Sequence, residues 1–257
     1  MFVPGVTTTR GSGRLFVISG QGLYCRNGQI PEGDVAGAEW LYLGETDGAP
    51  CFARTGEPLA DAELVPLRQL FGVLPDDDFA IAGRALALTT WDRDHRHCGR
   101  CGTLTAASAT ERVRSCPACG HHSYPRISPA VIVAVEREGR ILLARNARTK
   151  MPFHSVLAGF VEVGESLEQC VAREVREEAG IELRDIRYFG SQPWPLTGSL
   201  MVGFTAHWAS GELVADPTEI LEPAWHAPEA LPTVPGKLSI ARALIDDFVR
   251  RATSSGA

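Results

Sequence analysis

The sequence lacks the features that carry a chain into or across a membrane. No apolar run in its 257 residues approaches the roughly 18 residues that a membrane-spanning helix needs. The first ten residues contain no basic segment followed by an apolar stretch, so a secretory signal is not predicted. We therefore expect a cytoplasmic protein that has no membrane partner.

The chain also lacks an excess of positive charge. Its formal net charge is −6, and hydrophobic residues make up 44% of it. This balance argues against a general surface for polyanions, whereas it allows a well-buried core. A chain of this length forms one large domain or two smaller ones.

The cysteines do not have the pattern of a disulfide framework. There are seven, an odd number, and four of them form two Cys-x-x-Cys pairs that are separated by fourteen residues. In a chain without an export signal, this spacing favours a metal over disulfides. Each pair is followed by glycine, so two tight turns would direct four thiolates at one Zn²⁺ and leave no open position, which makes the zinc structural. The predicted zinc ligands are Cys98, Cys101, Cys116 and Cys119.

Two alternatives apply to the cysteines. A redox pair is the other interpretation of each motif, but no helix start follows either of them. Cys25 and Cys51 stand alone in apolar surroundings, and we interpret them as buried core thiols.

A helix is predicted within residues 159–181. Ser166 and Gln169 form a capping box, in which each side chain bonds the backbone N–H of the other residue, so the helix begins there. Gly180 provides a C-terminal stop, because glycine readily adopts the left-handed conformation.

Three glutamates of this helix fall on one side of it. Glu174, Glu177 and Glu178 are three and four residues apart, and residues at that spacing are neighbours. Like charges so placed destabilise a helix by about 0.2–0.5 kcal/mol per pair, so we expect a cation to neutralise them. Carboxylates favour hard divalent ions such as Mg²⁺, which often serves phosphate substrates. A solvated acidic face is the simpler interpretation of Glu-x-x-Glu-Glu alone.

The residues around the glutamates argue against that simpler interpretation. Gly159 and Glu165 stand at fixed spacings before Arg173, where the run Arg-Glu-Val-x-Glu-Glu-x-Gly-Ile begins. Together, residues 159–181 resemble the box of the Nudix hydrolases, which are Mg²⁺-dependent enzymes that cleave nucleoside diphosphates linked to another moiety. The resemblance implies a Nudix fold and catalysis on Mg²⁺ or Mn²⁺.

The resemblance also implies roles for individual residues. The predicted catalytic residues are Arg173, Glu174, Glu177 and Glu178, and the predicted metal ligands are the Ala158 carbonyl, Glu174, Glu178 and Glu219. Glu178, or a carboxylate on a later loop, would deprotonate the attacking water. Arg173 lies four residues before Glu177 and can pair with it. Gly159 would let the backbone approach closely, and Glu165 would support the ligands from behind.

A second motif follows the box. Residues 191–195 read Ser-Gln-Pro-Trp-Pro, and two prolines around Trp194 predict an extended loop that presents a rigid aromatic face. A core tryptophan is the alternative. The motif, with the following Ser199, resembles that of the NADH pyrophosphatase branch of the Nudix hydrolases. Leu196, Thr197 and Gly198 depart from the pattern of that branch, which leaves the packing of the loop open.

Membership of that branch would specify substrate and assembly. It implies hydrolysis of NAD(H) to nicotinamide mononucleotide and AMP, and removal of the NAD cap from RNA to leave a 5′-monophosphate end. It also implies a homodimer, with Tyr124 and Phe160 stacking on a base. The predicted substrate-binding residues are Arg68, Glu111, Tyr124, Phe160, Gln192, Pro193, Trp194, Pro195, Leu196, Thr197, Gly198, Ser199 and Ala241.

The segment around the predicted zinc site is basic. Between Arg84 and Arg126 there are seven arginines and three acidic residues. Exposed arginines are common in zinc ribbons, so this excess need not be functional. The alternative is a sequence-independent contact with phosphates. We hypothesise that arginines such as Arg112 and Arg114 help to hold RNA.

Other functions stay open. A Nudix hydrolase of ADP-ribose or of dinucleoside polyphosphates would share the box, although the tryptophan motif and the zinc ribbon argue against it. A zinc-ribbon module that only senses nucleotides is another possibility. Such proteins often lose carboxylates of the box, whereas all of them are present here.

The predicted fold is α/β (α+β) in three segments. These are an N-terminal α/β domain at 1–93, a Cys₄ zinc ribbon at 94–122 and a Nudix domain at 123–257, an α/β/α sandwich with a mixed sheet. The N-terminal segment should contain a hairpin around Asp47-Gly48 and a helix that begins at Asp76–Asp78.

The Nudix segment should contain a buried strand at 130–135, with further strands after it. We also expect a hairpin at Ser210-Gly211. A final amphipathic helix is predicted at 237–251, and 252–257 should be frayed. The residues predicted for the inner face of that helix are Ile240, Ala243, Leu244 and Phe248.

Overall fold

A computed structural model gives the architecture of the chain for residues 1–6, 11–35, 37, 39–148 and 152–254. The contacts divide it into two compact units. The first unit comprises Met1–Arg126 together with Pro195–Gly198, and the second comprises Ile127–Trp194 together with Ser199–Ala257. No helix within the described ranges is both long and apolar enough to cross a membrane.

The first unit is built on a mixed sheet. Its strands are β1 (Phe2–Pro4), β2 (Ser12–Ser19), β3 (Gly22–Cys25), β4 (Glu32–Asp34), β5 (Leu41–Thr46), β6 (Ala49–Thr55) and β7 (Glu63–Pro66). They lie in the order β1-β5-β6-β2-β3-β7, and β4 pairs with β2. The β5–β6 hairpin turns at Asp47-Gly48, as predicted. Cys25 and Cys51 are free and buried in the core, which confirms their interpretation.

The helix of this unit packs on that core. After a short 3₁₀ helix, Leu67–Leu70, α1 spans Asp76–Asp94. Its first turn carries three aspartates, whose charge suits the positive end of the helix dipole, so the predicted start is confirmed. The zinc-ribbon segment adds three short antiparallel strands: β8 (Ala106–Ala107), β9 (Arg114–Ser115) and β10 (His122–Ser123).

The second unit holds a six-stranded mixed sheet. Its strands are β11 (Ser128–Arg137), β12 (Arg140–Asn146), β13 (Leu157–Phe160), β14 (Glu182–Trp194), β15 (Ser199–Ser210) and β16 (Ile220–His226). They lie in the order β14-β15-β11-β12-β16, with β13 paired to β11. The β11–β15 pair is parallel and the other pairs are antiparallel.

Two helices cover the faces of this second sheet. Along β11, Val131 and Val133 pack in the cluster that contains α2 (Leu167–Ala179). Ile132, between them, packs in the cluster that contains α3 (Ile240–Ser254). Successive side chains of a strand point to opposite faces, so the two helices lie on opposite sides of the sheet. The predicted α/β/α sandwich is confirmed.

The predicted hairpin at Ser210-Gly211 is wrong. β15 pairs with β14 through the turn at 195–198, and β16 pairs with β12 instead. After Gly211 the chain runs along the end of α2, where Val214 N–H donates to the Ala179 carbonyl at 3.0 Å. The residues after Gly211 therefore hydrogen-bond to the free carbonyls at the end of α2 and do not form a second hairpin strand.

Two details of the final helix were also predicted incorrectly. Ala243 is exposed, and Ile245 occupies the inner face, because that face advances by 3.6 residues per turn. Ala252–Ser254 are helical rather than frayed, and the Ser254 hydroxyl donates to the Arg250 carbonyl at 2.8 Å. The rest of the predicted frayed segment, 255–257, lies outside the described residues.

Candidate active site and zinc site

The four cysteines of the ribbon converge as predicted. Their sulfur atoms all lie within 4.8 Å of one another. The measured Sγ–Sγ distances are 3.6 Å between Cys98 and Cys119, 3.5 Å between Cys101 and Cys116, and 3.5 Å between Cys101 and Cys119. A tetrahedral ion with Zn–S bonds of about 2.3 Å requires sulfur atoms about 3.8 Å apart, so the site fits Zn²⁺.

Two matching turns place these sulfur atoms. The N–H of Gly102 donates to the Cys98 carbonyl at 2.8 Å, and that of Gly120 donates to the Cys116 carbonyl at 3.0 Å. Both glycines have positive φ, at 75° and 69°, a conformation that other residues rarely adopt. The Gly after each Cys-x-x-Cys pair therefore closes the turn, and a structural zinc fits the result.

The box helix begins and ends as predicted. The Ser166 side chain accepts a hydrogen bond from the Gln169 N–H, and the Gln169 side chain accepts from the Ser166 N–H, so the capping box is complete. Gly180 ends the helix in the left-handed conformation, with φ at 73°.

Arg173 is the centre of an ion-pair network on α2. Its Nε and Nη2 donate to both carboxylate oxygens of Glu165, at 2.6 and 2.9 Å. Its Nη1 donates to Glu174 at 2.9 Å and to Glu177 at 3.0 Å. The predicted pair with Glu177 is confirmed, and a single guanidinium fixes three carboxylates.

The network also sets the charge of Glu165. The hydrogen bond from Arg173 and one from the Glu162 backbone lower the pKa of the Glu165 carboxyl to about 2. The carboxylates around it raise the pKa of Arg173 above its ordinary value. Glu165 is therefore a permanent anion that orients Arg173, which agrees with the supporting role predicted for it.

Gly159 makes room for Glu174. A Cβ atom at position 159 would lie 1.8 Å from the carboxyl carbon of Glu174, far inside any allowed contact. The strand β13 and the glutamate can therefore touch only because residue 159 has no side chain. Burial raises the pKa of Glu174, although Arg173 opposes this effect. The close approach predicted for Gly159 is confirmed, and its partner is a carboxylate of the box.

Glu178 is the most buried carboxylate of the box. Only 8% of its surface is exposed, and its Oε2 is buried without a hydrogen-bond partner among the described residues. Burial, together with the negative charges of Glu174 and Glu219, raises the pKa of Glu178 to about 8. A buried oxygen that lacks a donor and faces other carboxylates suits a cation.

The loop after β15 brings Glu219 to this cluster. The Asp216 N–H donates to the Glu178 carbonyl at 3.0 Å, and the Glu219 N–H donates to the Asp216 carbonyl at 3.1 Å. The Asp216 side chain accepts from the N–H and hydroxyl of Thr218 at 2.8 and 2.7 Å, which fixes the turn. The Glu219 carboxylate accepts a hydrogen bond from Arg148.

These residues fit a divalent cation. Glu174 and Glu219 both act electrostatically on Glu178, and all three residues offer carboxylate oxygens, the ligands that Mg²⁺ and Mn²⁺ prefer. The Oε2 of Glu178 provides a position that no donor from the described residues fills. Ala158, whose carbonyl is the fourth predicted ligand, lies next to Gly159 on β13.

The predicted substrate-binding residues are distributed over both units. Arg68 and Glu111 in the first unit are exposed, as are the rings of Tyr124 (57%) and, in the second unit, Phe160 (55%). Pro193 is exposed on β14. Tyr124 and Phe160 thus offer open aromatic faces of the kind that stacking requires.

Three other predicted substrate residues are partly or fully enclosed. The Gln192 amide donates to the Leu238 carbonyl and accepts from the Ile240 N–H, both at 2.8 Å, so it fixes the start of α3. Ala241 is 7% exposed and packs in the core beneath α3, and Ser199 is buried at the start of β15. Any contact of these three with a substrate would involve limited surface.

The tryptophan motif is a hairpin, not an extended loop. Trp194 is the last residue of β14, and Pro195–Gly198 form the turn, in which Gly198 has a φ of 70°. Within the first unit, the Leu196 side chain packs on the hydrophobic core, and a Cβ on Gly83 of α1 would lie 2.3 Å from Pro195. Leu196 and Gly198, which depart from the family pattern, therefore have packing and turn roles.

The basic segment is less available than its arginine count suggests. Arg114 is buried and bonded to Asp92, which also pairs with Arg96 at 3.3 Å. The part of the RNA hypothesis that rests on Arg114 is therefore wrong. Arg112 is half-buried, and its Nη2 donates to backbone carbonyls, among them that of Tyr42 at 2.7 Å.

Comparison with known proteins agrees with this architecture. Residues 125–248 match the family described as NUDIX domain, 9–91 match the NADH pyrophosphatase-like rudimentary NUDIX domain, and 93–124 match the NADH pyrophosphatase zinc ribbon domain. The NAD-capped RNA hydrolase NudC of Deinococcus radiodurans is 41% identical to the chain, and the alignment covers 99% of this chain and 94% of that protein. This chain belongs to the NudC family of Nudix hydrolases.

Further relatives support the same placement. The NudC proteins of Salmonella typhi and Pseudomonas aeruginosa are 43% and 45% identical, and the alignments cover 93% and 83% of this chain and 93% and 78% of theirs. A NUDIX hydrolase structure from Nitrosomonas europaea aligns with a TM-score of 0.51 at 22% identity, covering 62% of this chain and 92% of that one. The last comparison shows a shared fold. The resemblance inferred from the sequence is confirmed.

Two residues of the site were missed by sequence reasoning. Arg148, which pairs with Glu219, lies 71 positions away in sequence, and no local pattern marks it. Asp216 fixes the loop that carries Glu219, and Asp-x-Thr, a common turn sequence, could have identified it.

Proposed function

We propose that this protein hydrolyses the diphosphate bond of NAD(H) to give nicotinamide mononucleotide and AMP, and removes the NAD cap from RNA to leave a 5′-monophosphate. One observation carries the proposal. The Oε2 of buried Glu178, which has no hydrogen-bond partner in the described part of the chain, lies among the box carboxylates, and the relatives of this chain are named NAD-capped RNA hydrolases.

The divalent cation would be held by Glu174, Glu178 and Glu219, with the Ala158 carbonyl as a further ligand. When bound, Mg²⁺ or Mn²⁺ neutralises the charge of the diphosphate and lowers the pKa of the attacking water. Arg173 keeps Glu174 and Glu177 in place through its hydrogen bonds at 2.9 and 3.0 Å. It acts through these carboxylates, because its guanidinium is already occupied by them and by Glu165.

The chemistry itself is a water attack on phosphorus. The water oxygen forms a bond to one phosphorus, the bond from that phosphorus to the bridging oxygen breaks, and the bridging oxygen leaves with the other nucleotide. The Glu178 carboxylate, ionised when the cation is bound, would accept the proton of the water. Glu219, the later-loop alternative, is paired with Arg148.

The substrate would be recognised by Phe160 of the box and by residues outside it. We assign the stacking of a base to the exposed rings of Tyr124 and Phe160, and the remaining contacts to the tryptophan hairpin and the flanking positions. The full proposed set is Arg68, Glu111, Tyr124, Phe160, Gln192, Pro193, Trp194, Pro195, Leu196, Thr197, Gly198, Ser199 and Ala241.

A substrate panel tests the proposal. Purified protein with Mg²⁺ or Mn²⁺ is assayed for AMP release from NADH, ADP-ribose and diadenosine tetraphosphate, and for decapping of NAD-capped RNA. We expect the highest kcat/KM for NADH or capped RNA. A higher value for ADP-ribose would overturn the substrate assignment, and the absence of any metal-dependent release would overturn the enzymatic one.

The segments and the assembly complete the proposal. We propose that 1–93, 94–122 and 123–257 are the functional segments of a cytoplasmic homodimer. Reduced zinc-binding thiols favour the cytoplasm, where thiols stay reduced. Light scattering of the purified protein decides the assembly, and a monomer at assay concentration would overturn it.

A further inference from the structure

Two guanidinium groups lie beside the outer strand pair of the first unit. Arg112 Nη2 donates to the carbonyls of Gly5, Tyr42 (2.7 Å) and Leu43 (3.2 Å). The Arg84 guanidinium lies 5.6 Å from the centre of the Phe2 ring. Phe2 begins β1 and Gly5 follows it, while β1 pairs with β5, so both cations lie along the same edge.

Neither cation has an acidic partner in the part of the chain that the structure describes. Arg84 Nε is buried and makes no hydrogen bond there. Other enclosed arginines of the same unit do have such partners: Arg14 pairs with Asp78 at 2.6 Å, and Arg114 pairs with Asp92. Arg84 and Arg112 are therefore exceptions.

This arrangement costs free energy. Burial lowers the pKa of Arg84, and burial with the charge of Arg84 lowers the pKa of Arg112 to about 10. Enclosed like charges are unfavourable unless a counter-charge accompanies them. The carbonyl contacts of Arg112 use its Nη2 alone, so its structural role leaves other N–H groups for a ligand.

Arginine pairs recognise phosphate in particular, because planar guanidinium groups bond two phosphate oxygens at once. We propose that Arg84 and Arg112 form a phosphate-binding site on the first unit, and that it takes a backbone phosphate of the RNA chain that follows the NAD cap. The assignment of the ligand to the RNA chain behind the cap rests on the proposed function. This site replaces Arg114 in the hypothesis that basic residues of this region hold RNA.

The experiment compares Arg84→Met with Arg54→Met. Methionine keeps an apolar side chain next to the Phe2 ring and removes the charge. Arg54 is a matched control, because its guanidinium also lies over an aromatic ring, Trp40, at 5.0 Å. Its Nη2 donates to the Glu57 carbonyl at 2.8 Å. Arg112 is left intact, since its loss would remove three carbonyl contacts.

The first measurement uses inorganic phosphate as the probe. Calorimetric titration of the wild type and of Arg54→Met should give saturable binding, whereas Arg84→Met should lose it. The second measurement is KM for NAD-capped RNA at several salt concentrations. We expect Arg84→Met to raise KM for NAD-capped RNA about 3- to 10-fold and to leave KM for NADH unchanged. The dependence of log KM on log salt concentration should become shallower by the amount expected for about one phosphate contact.

Each outcome decides one part. If phosphate does not bind the wild type saturably, the site does not exist. If phosphate binding is lost in Arg84→Met but KM for capped RNA is unchanged, the site takes free phosphate and the RNA assignment is wrong. Because NADH turnover is measured in the same preparation, failure of the proposed function itself would appear separately, as loss of NADH hydrolysis in the wild type.

Discussion

The ribbon and the box arrange their candidate metal ligands differently before an ion binds. In the ribbon, the four sulfur atoms are already gathered within 4.8 Å, and no other group of candidate ligands in the described ranges meets that distance. At the box and the loop beside it, guanidinium groups hold the carboxylates: Arg173 holds Glu174 of the box, and Arg148 holds Glu219 of the loop. The first arrangement suits an ion that stays, whereas the second suits an ion that arrives with the substrate.

The complete coordination shell of the ribbon and the burial of Glu178 in the box explain this difference. Four thiolates complete a tetrahedron and leave no position for water, so the zinc of the ribbon contributes to folding. The box instead keeps Glu178 Oε2 buried, with no hydrogen-bond partner from the residues that the structure describes, at a cost in folding free energy. Removing a metal ligand should therefore lower stability when the ligand belongs to the ribbon and lower activity when it belongs to the box.

The largest expected effect is that of Glu178→Gln on turnover. Loss of the proposed base and proposed metal ligand should lower kcat for NADH by about 10³-fold or more. The melting temperature of the metal-free protein near pH 7 should change little, because the raised pKa keeps the Glu178 carboxyl largely protonated and a neutral amide then replaces a neutral acid. Glu168→Gln, at an exposed position in the first turn of the same helix, is the control and should keep full activity. Full activity of Glu178→Gln would refute the catalytic assignment.

Cys116→Ser should show the reverse pattern. Loss of a zinc ligand should destabilise the protein by more than about 4 kcal/mol and lower the melting temperature by roughly 10 °C. Zinc content, measured by metal analysis, should fall below one per chain. Cys51→Ala alters a core thiol that has no part in the ribbon, and it should keep its zinc. Retention of both zinc and stability in Cys116→Ser would show that the ribbon folds without the ion.

Sequence reasoning succeeded where the determining residues are close in the chain. The capping box of Ser166 and Gln169, the stop at Gly180 and the two Cys-x-x-Cys turns each depend on a few consecutive residues. Local patterns of this kind specify backbone conformation almost independently of the rest of the fold.

It failed where partners are distant. The pairing of β16 with β12 depends on which strand edge is open, and the turn signal at Ser210-Gly211 cannot report that. The Arg148–Glu219 pair and the neutralisation of Arg114 by Asp92 likewise join residues that tertiary structure brings together. Counting arginines therefore overstated the free charge of the ribbon.

Gly159→Ala tests how tightly the box is built. Its Cβ would lie 1.8 Å from the Glu174 carboxyl carbon, so the glutamate must move. We expect kcat to fall about 10- to 100-fold, since a displacement of about 1 Å is enough for such a loss. Gly190→Ala is the matched control, because a Cβ on that strand glycine meets nothing within 4 Å. Equal kcat values for the two variants would mean that the approach of β13 to Glu174 is not needed.

The smallest effect concerns the stability of the metal-free protein. In the folded state the pKa of Glu178 is raised from 4.5 to about 8, so the folded protein holds a proton that the unfolded chain releases. The free energy of unfolding should therefore fall as pH rises from about 5 to 8, by at least about 1.4 kcal/mol, the equivalent of one pKa unit. Urea unfolding of wild type and Glu178→Gln across this range isolates the contribution of Glu178, because the zinc site is common to both proteins.

Bound Mg²⁺ should reverse this pH dependence, since it takes the place of the proton and binds better as pH rises. Parallel curves for the two proteins would show that Glu178 is already ionised before the metal binds, and that the box, like the ribbon, is prepared for its ion in advance.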